Sequence, residues 1–146
     1  MTKRMLVPVD GSEQSRKALE FACELARGMG YSLHLIHVAQ SLPHDRVLVL
    51  GGAHVTVHAS REDLERAGKE ALDACRELAK QHGVTELKTE VAAGDPAARI
   101  VEAAERLGAD LVVMGSRGLS DLKGLVLGSV SHKVNHMVPC TCITVR

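Results

Sequence analysis

The stretch Met114-Gly-Ser-Arg-Gly-Leu-Ser-Asp-Leu-Lys-Gly-Leu-Val-Leu-Gly-Ser-Val-Ser131 is the most informative part of this chain. The apolar run from Leu111 to Met114 that leads into it is typical of a strand buried on both faces of a parallel sheet. After the stretch, apolar residues recur at helical spacing until Pro139, which ends the helix. We therefore expect a buried strand, a glycine-rich loop and a helix, in that order.

The glycines of this loop predict a close approach between the backbone and a ligand. Gly115, Gly118 and Gly128 let the chain turn sharply, and no side chain keeps a bound group away from their amides. Ser129 and Ser131 stand near the start of the following helix, where unpaired N–H groups and the helix dipole favour an anion. The pattern indicates a phosphate site, although the loop alone is equally compatible with an ordinary flexible connection.

The rest of the chain repeats the order strand, helix. This alternation predicts an α/β fold, a doubly wound sandwich with a five-stranded parallel sheet in the order 3-2-1-4-5, formed by a single domain over residues 1–146. No structure is predicted for residues 39–59, where Pro43, Gly51 and Gly52 interrupt every pattern. The predicted strands cover residues 4–9, 31–38, 85–92, 111–114 and 140–145, and the helices between them start at Ser12, Ser60, Asp95 and near Ser129.

Two distant segments are expected to meet at one edge of this sheet. In open α/β sheets, ligands bind beyond the carboxyl ends of the strands where the winding changes direction, here between the first and fourth strands. Asp10 ends the first of these strands and Gly115 follows the other. The Asp10 carboxylate could accept hydrogen bonds from ribose hydroxyls while the loop amides take phosphates; the alternative for Asp10 is a turn or helix-capping residue.

The composition argues against nucleic acid and membrane partners. The 146 residues include 18 Lys and Arg against 18 Asp and Glu, so the basic excess that both partners require is missing. Phe21 and Tyr31 are the only Phe, Tyr or Trp residues in the sequence, and two such rings are too few for a base-stacking platform. No apolar run of membrane-spanning length or signal-peptide core is present, which favours a cytoplasmic protein whose four cysteines are thiols.

Familiar catalytic motifs are missing from the sequence. It contains no Gly-x-x-x-x-Gly-Lys-Ser/Thr, and no Gly-x-Gly-x-x-Gly follows the first strand. His132 and His136 are four residues apart on a predicted helix, and His54 and His58 have the same spacing, but neither pair belongs to a His-Glu-x-x-His motif. We therefore predict no catalytic residue and no metal site.

Several motifs together resemble the universal stress protein family in its ATP-binding branch. The loop matches that branch's pattern Gly-x2-Gly-x9-Gly-Ser/Thr through Gly115, Gly118, Gly128 and Ser129 without a spacing error. The likeness extends to Pro-Val-Asp-Gly-Ser at the end of the first strand, Gly-Asp-Pro before the third helix and Pro-Cys near the close, and so covers the whole chain. The resemblance implies an adenine nucleotide alpha hydrolase-like fold and ATP as the ligand.

The resemblance also implies a set of contacts and an oligomeric state. Adenine and ribose would lie beside the end of the first strand, and Val38 would hold adenine through its backbone. Family members commonly form homodimers, here through the last strand, Cys142 to Val145, whose exposed edge is a suitable pairing surface. The implied ATP contacts are Pro8, Val9, Asp10, Val38, Met114, Gly115, Arg117, Gly118, Gly128, Ser129, Val130 and Ser131.

Three functions follow as hypotheses. The first is an ATP-binding regulatory switch of the stress response, with slow or no hydrolysis and a protein partner that the sequence does not identify. The second is a weak Mg²⁺-dependent ATPase, in which Asp10, Ser129 and Ser131 hold the ion through the phosphates and Arg117 or Lys123 supplies positive charge. The third is a nucleotide-free protein-interaction module whose glycine loop is only structural.

Overall fold

A computed structural model describes residues 2–39, 46–50, 53–57, 61–118 and 128–146. Strands and helices alternate along the chain, as the sequence predicted, with one additional pair of short strands. In chain order the elements are β1 (Lys3–Pro8), α1 (Glu13–Met29), β2 (Tyr31–Ala39), β3 (Arg46–Leu50), β4 (Ala53–Val57), α2 (Arg61–Gln81), β5 (Leu87–Ala93), α3 (Pro96–Leu107), β6 (Leu111–Gly115), α4 (Ser129–Met137) and β7 (Thr141–Val145).

Five of the strands form one parallel sheet in the order β5-β2-β1-β6-β7. With β3 and β4 set aside, this is the predicted order 3-2-1-4-5, and the predicted fold class is confirmed. Strands β3 and β4 pair antiparallel with each other as a separate two-stranded sheet. They lie within residues 39–59, for which the sequence predicted no structure.

The sheet is buried on both faces because alternate residues of each strand point to opposite sides. On β1, Met5 and Val7 belong to the core that packs against α1 and α2. Leu6, between them, belongs to a second core beneath α3 and α4. The near-continuous apolar runs of the central strands are thus explained by two cores that share one sheet.

The helix ends follow from local sequence. The Ser12 hydroxyl accepts a hydrogen bond from the Ser15 N–H at 3.1 Å and caps α1. The Asp95 carboxylate accepts one from the Ala98 N–H at 3.0 Å, and Pro96 occupies the first position of α3. At the other end of α3, Gly108 adopts a left-handed conformation, with φ of 59°, that ends the helix.

Within the described part of the chain, no helix is long and apolar enough to cross a membrane.

Candidate functional site

A cavity of about 310 Å³ opens beyond the carboxyl ends of β1, β2 and β6. It lies where the order of strands changes direction, between β1 and β6, which is the position that open α/β sheets use for ligands. Leu64 and Ala67 border the cavity from α2, which packs on β2 and β5, so they lie on the β2 side of β1. Asp10 follows β1 itself, and Arg117 follows β6, on the opposite side of β1.

The residue directly after β1, Val9, is joined to β2 by two hydrogen bonds. The Val9 N–H donates to the Ile36 carbonyl at 2.9 Å, and the Val9 carbonyl lies 2.9 Å from Nδ1 of His37. The next residue, Asp10, turns away from the sheet, and its Oδ1 accepts from the Ser12 N–H at 2.9 Å. Asp10 therefore combines the predicted turn role with a position on the cavity wall.

Gly115, at the end of β6, is required by its contact with α1. A Cβ atom placed on Gly115 would lie 2.9 Å from both the Cβ and the carbonyl carbon of Gln14, closer than real Cβ contacts allow. The sequence interpretation gave this glycine a role in ligand approach. The structure adds a packing role, because the absence of a side chain lets the first turn of α1 lie against β6.

One hydrogen bond joins the two ends of the glycine loop, and a second joins the loop to β7. The Ser116 carbonyl accepts from the Gly128 N–H, and the Ser116 N–H donates to the Val145 carbonyl at 2.8 Å. The buried Ser131 hydroxyl donates to the Gly115 carbonyl at 2.6 Å. Ser131 thus connects α4 to β6, and because its hydroxyl hydrogen is in this bond, the hydroxyl cannot also donate to a ligand.

Ten of the twelve residues named from the sequence border the cavity. They come from β1, β2, β6 and α4 and from the segments that follow β1 and β6. Gly128 and Ser129 are not part of its lining; Gly128 is the N-cap of α4 and Ser129 is the first residue of that helix. Lys123 lies outside the described residues. The ten are Pro8, Val9, Asp10, Val38, Met114, Gly115, Arg117, Gly118, Val130 and Ser131.

Other lining residues were not named from the sequence. Ile36, His37 and Ala39 border the cavity because they end β2, a position that the predicted topology already made relevant. Pro96, the last residue of the Gly-Asp-Pro segment, and Ile100 lie in the first turns of α3. For Leu64 and Ala67 of α2 no sequence signal was available, because their place depends on how that helix packs.

The two histidines on α4 are exposed, and their rings contact each other edge to face. The ring centroids of His132 and His136 are 4.5 Å apart, with an interplanar angle of 74°. Among the described residues, no group of three or more His, Cys, Asp or Glu side chains could hold a metal ion. Of the other pair, His54 lies on β4 and His58 is outside the described residues.

The four cysteines are free thiols, as predicted, and they are poor nucleophiles. Burial, reinforced by the Glu20 carboxylate, raises the pKa of Cys23 to about 11. Burial, reinforced by Cys140, raises the pKa of Cys142 to about 11 as well. Thiolates are the reactive form of cysteine, so these side chains supply no activated nucleophile near neutral pH.

The described residues of the cavity offer one carboxylate, one guanidinium, the His37 imidazole, the hydroxyls of Ser15 and Ser131 and several backbone groups in largely apolar surroundings. Such a composition is typical of small-molecule binding sites. Fold and site together define the class of protein: a doubly wound α/β domain with a cavity at its topological switch point, where open α/β sheets bind their ligands.

Comparison with known proteins identifies the family. The universal stress protein family matches residues 1–146, the full length given. The chain is 37% identical over 149 residues to the universal stress protein YxiE of Bacillus subtilis, and the match covers 100% of both chains. The chain therefore belongs to the universal stress protein family.

Two solved structures have the same fold. The universal stress protein UspA from Lactobacillus plantarum has a TM-score of 0.79 at 22% identity, covering 99% of this chain and 97% of that one. A universal stress protein in complex with cAMP has a TM-score of 0.74 at 23% identity, with the same coverage. At these identities the likeness establishes the fold.

Proposed function

We propose that this protein is an ATP-binding regulator of the stress response that hydrolyses ATP slowly or not at all. The observation that carries the proposal is the cavity at the topological switch point, with aliphatic side chains of α2 on the β2 side, Asp10 after β1, and Arg117 with the start of the glycine loop after β6. This order of surfaces corresponds to the order of base, ribose and phosphates along a nucleotide.

The lining residues of the cavity suit different parts of the nucleotide. A purine base can lie among aliphatic side chains such as Leu64 and Ile100, where its burial is favourable without any stacking ring. The Asp10 carboxylate is an acceptor for ribose hydroxyls, and Arg117 is a donor for phosphate oxygens. The family member solved with cAMP supports a ligand that contains adenine, ribose and phosphate.

Slow hydrolysis is part of the proposal because the cavity is poor in catalytic groups. Efficient phosphoryl transfer needs a metal clamp and a positioned nucleophile. Asp10 is the single carboxylate among the described residues that line the cavity, and its Oδ1 already accepts from the Ser12 N–H. Mg²⁺ would then be held mainly by the phosphates, with Asp10, Ser129 and Ser131 as the nearby oxygen donors.

Regulation would act through the protein surface. Under this proposal the nucleotide orders the glycine loop and thereby changes the surface offered to a protein partner. The protein would act in the cytoplasm as a homodimer joined through the edge of the last strand, Cys142 to Val145. Four free thiols are compatible with a reducing compartment.

The test is direct measurement of nucleotide binding. Nucleotide that copurifies with the protein is identified after acid extraction, and ATP, AMP and cAMP are then titrated by calorimetry with and without Mg²⁺. We expect ATP to bind at one site per chain. Arg117→Gln should weaken ATP about tenfold, because it removes a charge-assisted hydrogen bond. Arg16→Gln, a change of the same kind on the exposed face of α1, should leave the affinity unchanged.

Other results would favour the alternatives. If neither ATP, AMP nor cAMP binds at millimolar concentration, the proposal fails and a nucleotide-free interaction module remains. If AMP or cAMP binds and ATP does not, nucleotide-dependent regulation remains the proposal, but the identification of ATP as the ligand fails. Mg²⁺-dependent release of ADP that is lost in Asp10→Ala would establish the weak ATPase instead.

A further inference from the structure

The hydrogen bonds between β1 and β2 end in an unusual way. In a parallel pair, a residue that donates its N–H to one residue of the neighbouring strand accepts, at its own carbonyl, from the N–H two residues further on. The Val9 N–H donates to the Ile36 carbonyl, so the regular partner of the Val9 carbonyl is the N–H of Val38. The Val9 carbonyl instead lies 2.9 Å from the His37 imidazole.

The Val38 N–H is left without a backbone acceptor among the described residues. Backbone groups of alternate residues point to opposite sides of a strand. The Ala39 carbonyl accepts from Gly94, on the β5 side, while the Ile36 carbonyl faces β1. Val38 therefore directs its N–H and carbonyl to the β1 side, beyond the last paired residue of β1, and Val38 borders the cavity.

The His37 ring is fixed in this arrangement. A carbonyl oxygen only accepts, so Nδ1 must carry the hydrogen of the bond to Val9. On the other side of the ring, α2 approaches closely: a Cβ atom placed on Gly68 would lie 2.9 Å from Cδ2 of His37. The imidazole is thus confined between the end of β1 and a helix that has no side chain at the point of contact.

We propose that His37 is a positioning residue that occupies the Val9 carbonyl and so leaves the Val38 N–H available to a ring nitrogen of the bound base. This inference rests on the proposed nucleotide-binding function. The N–H and carbonyl of one strand residue point the same way, which provides a donor beside an acceptor. That pair is complementary to N1 and the adjacent amino group of adenine.

The ligand half of the proposal is tested with 1-deaza-ATP, in which a C–H group replaces N1. We expect wild-type protein to bind 1-deaza-ATP about tenfold more weakly than ATP, the effect of one lost hydrogen bond in a buried site. In His37→Leu the Val9 carbonyl can accept a hydrogen bond from the Val38 N–H, which is then no longer available to N1. The ratio of the affinities for ATP and 1-deaza-ATP should therefore fall to about one. His37→Asn should restore the ratio, because its side-chain amide can donate from nearly the same place as Nδ1.

A matched control separates this effect from a general loss of stability. His136→Leu changes an exposed histidine on α4 that does not line the cavity, and it should leave the wild-type ratio intact. A wild-type ratio that persists in His37→Leu, measured on a variant that is shown to be folded, would overturn the proposal.

The backbone half is tested without any nucleotide. Amide hydrogen exchange at Val38 should be fast in the free wild-type protein and several-fold slower in His37→Leu, where the ladder gains a bond. A protected Val38 amide in the free wild-type protein would contradict the proposal. If Val38 exchanges as expected but wild-type protein binds no ATP, the proposed function and the ligand half fail together, and the effect of His37 on the ladder stands.

Discussion

At the scale of single residues, two glycines of similar appearance in the sequence have opposite roles. Gly28 lies inside α1, and a Cβ atom added there would meet nothing within 4 Å. Gly115 ends β6, and a Cβ atom there would collide with the backbone of Gln14. The sequence alone gives both residues the same freedom, and only their surroundings show which one is needed.

This contrast leads to a paired prediction on stability. Gly28→Ala should raise the free energy of unfolding by about 0.5–1 kcal/mol, because alanine restricts the unfolded chain and favours the helix. Gly115→Ala should lower it by about 1–3 kcal/mol, because β6 and α1 must move apart. Urea titrations of both variants measure the difference. Equal effects of the two substitutions would show that the close approach at Gly115 is not a constraint.

At the scale of elements, the sequence predicts the helix ends more directly than it predicts the position of the outer strand. The caps at Ser12 and Asp95 depend on residues three positions away, so their motifs predicted the starts of α1 and α3 correctly. The place of β7 at the edge of the sheet depends on pairing with β6, to which it is joined through residues 116–140. The resemblance to the family implied that this strand pairs with a second copy, and the proposed homodimer keeps that role for it.

The orientation of β7 allows a selective test of the proposed dimer. The Val145 carbonyl accepts from Ser116, so Val145 and Ile143 face β6, while Thr144 directs its N–H away from the sheet. Thr144→Pro removes that outward N–H and leaves the β6–β7 ladder unchanged. We expect the variant to sediment as a monomer with wild-type helical and strand content.

The neighbouring position provides the control for this experiment. Ile143→Pro removes an N–H that faces β6, so it should destabilise the monomer itself. A Thr144→Pro protein with an unchanged mass in solution would exclude pairing through this edge. Loss of fold in Thr144→Pro but not in Ile143→Pro would show that the assigned orientation of β7 is wrong.

At the scale of the whole molecule, the sheet separates two cores, and a histidine lies against the second of them. His34, on β2 next to the core residue Ile36, has Nε2 3.5 Å from the Glu90 carboxylate. Burial lowers the pKa of His34 below 6.5, and the Glu90 carboxylate opposes this shift without cancelling it. Folding therefore favours the neutral His34 ring. Protonation of this ring is for that reason coupled to the unfolding of the whole domain.

The sign of this shift predicts a pH dependence of stability. Because the folded pKa lies below the unfolded value, the contribution of His34 is fully present above about pH 6.5 and is lost as the pH falls below it. The free energy of unfolding should decrease between pH 7 and pH 5 in the wild-type protein. His34→Leu should make that decrease shallower, whereas the exposed-site variant His136→Leu should keep the wild-type slope. An identical slope in wild type and His34→Leu would contradict the assignment.

The sequence by itself determined the alternation of strands and helices and the helix caps, since these depend on residues a few positions apart. The order of the five-stranded sheet was predicted from that alternation through the rules for α/β folds. Strand topology and the glycine-loop pattern pointed to Asp10, Gly115, Gly118 and Ser131, and the resemblance to the family implied the other six residues that border the cavity. Only the tertiary structure decided how those residues are used. The bonds from His37 to Val9 and from Ser131 to Gly115 join different elements. Such contacts depend on strand register and helix packing, which no local spacing encodes.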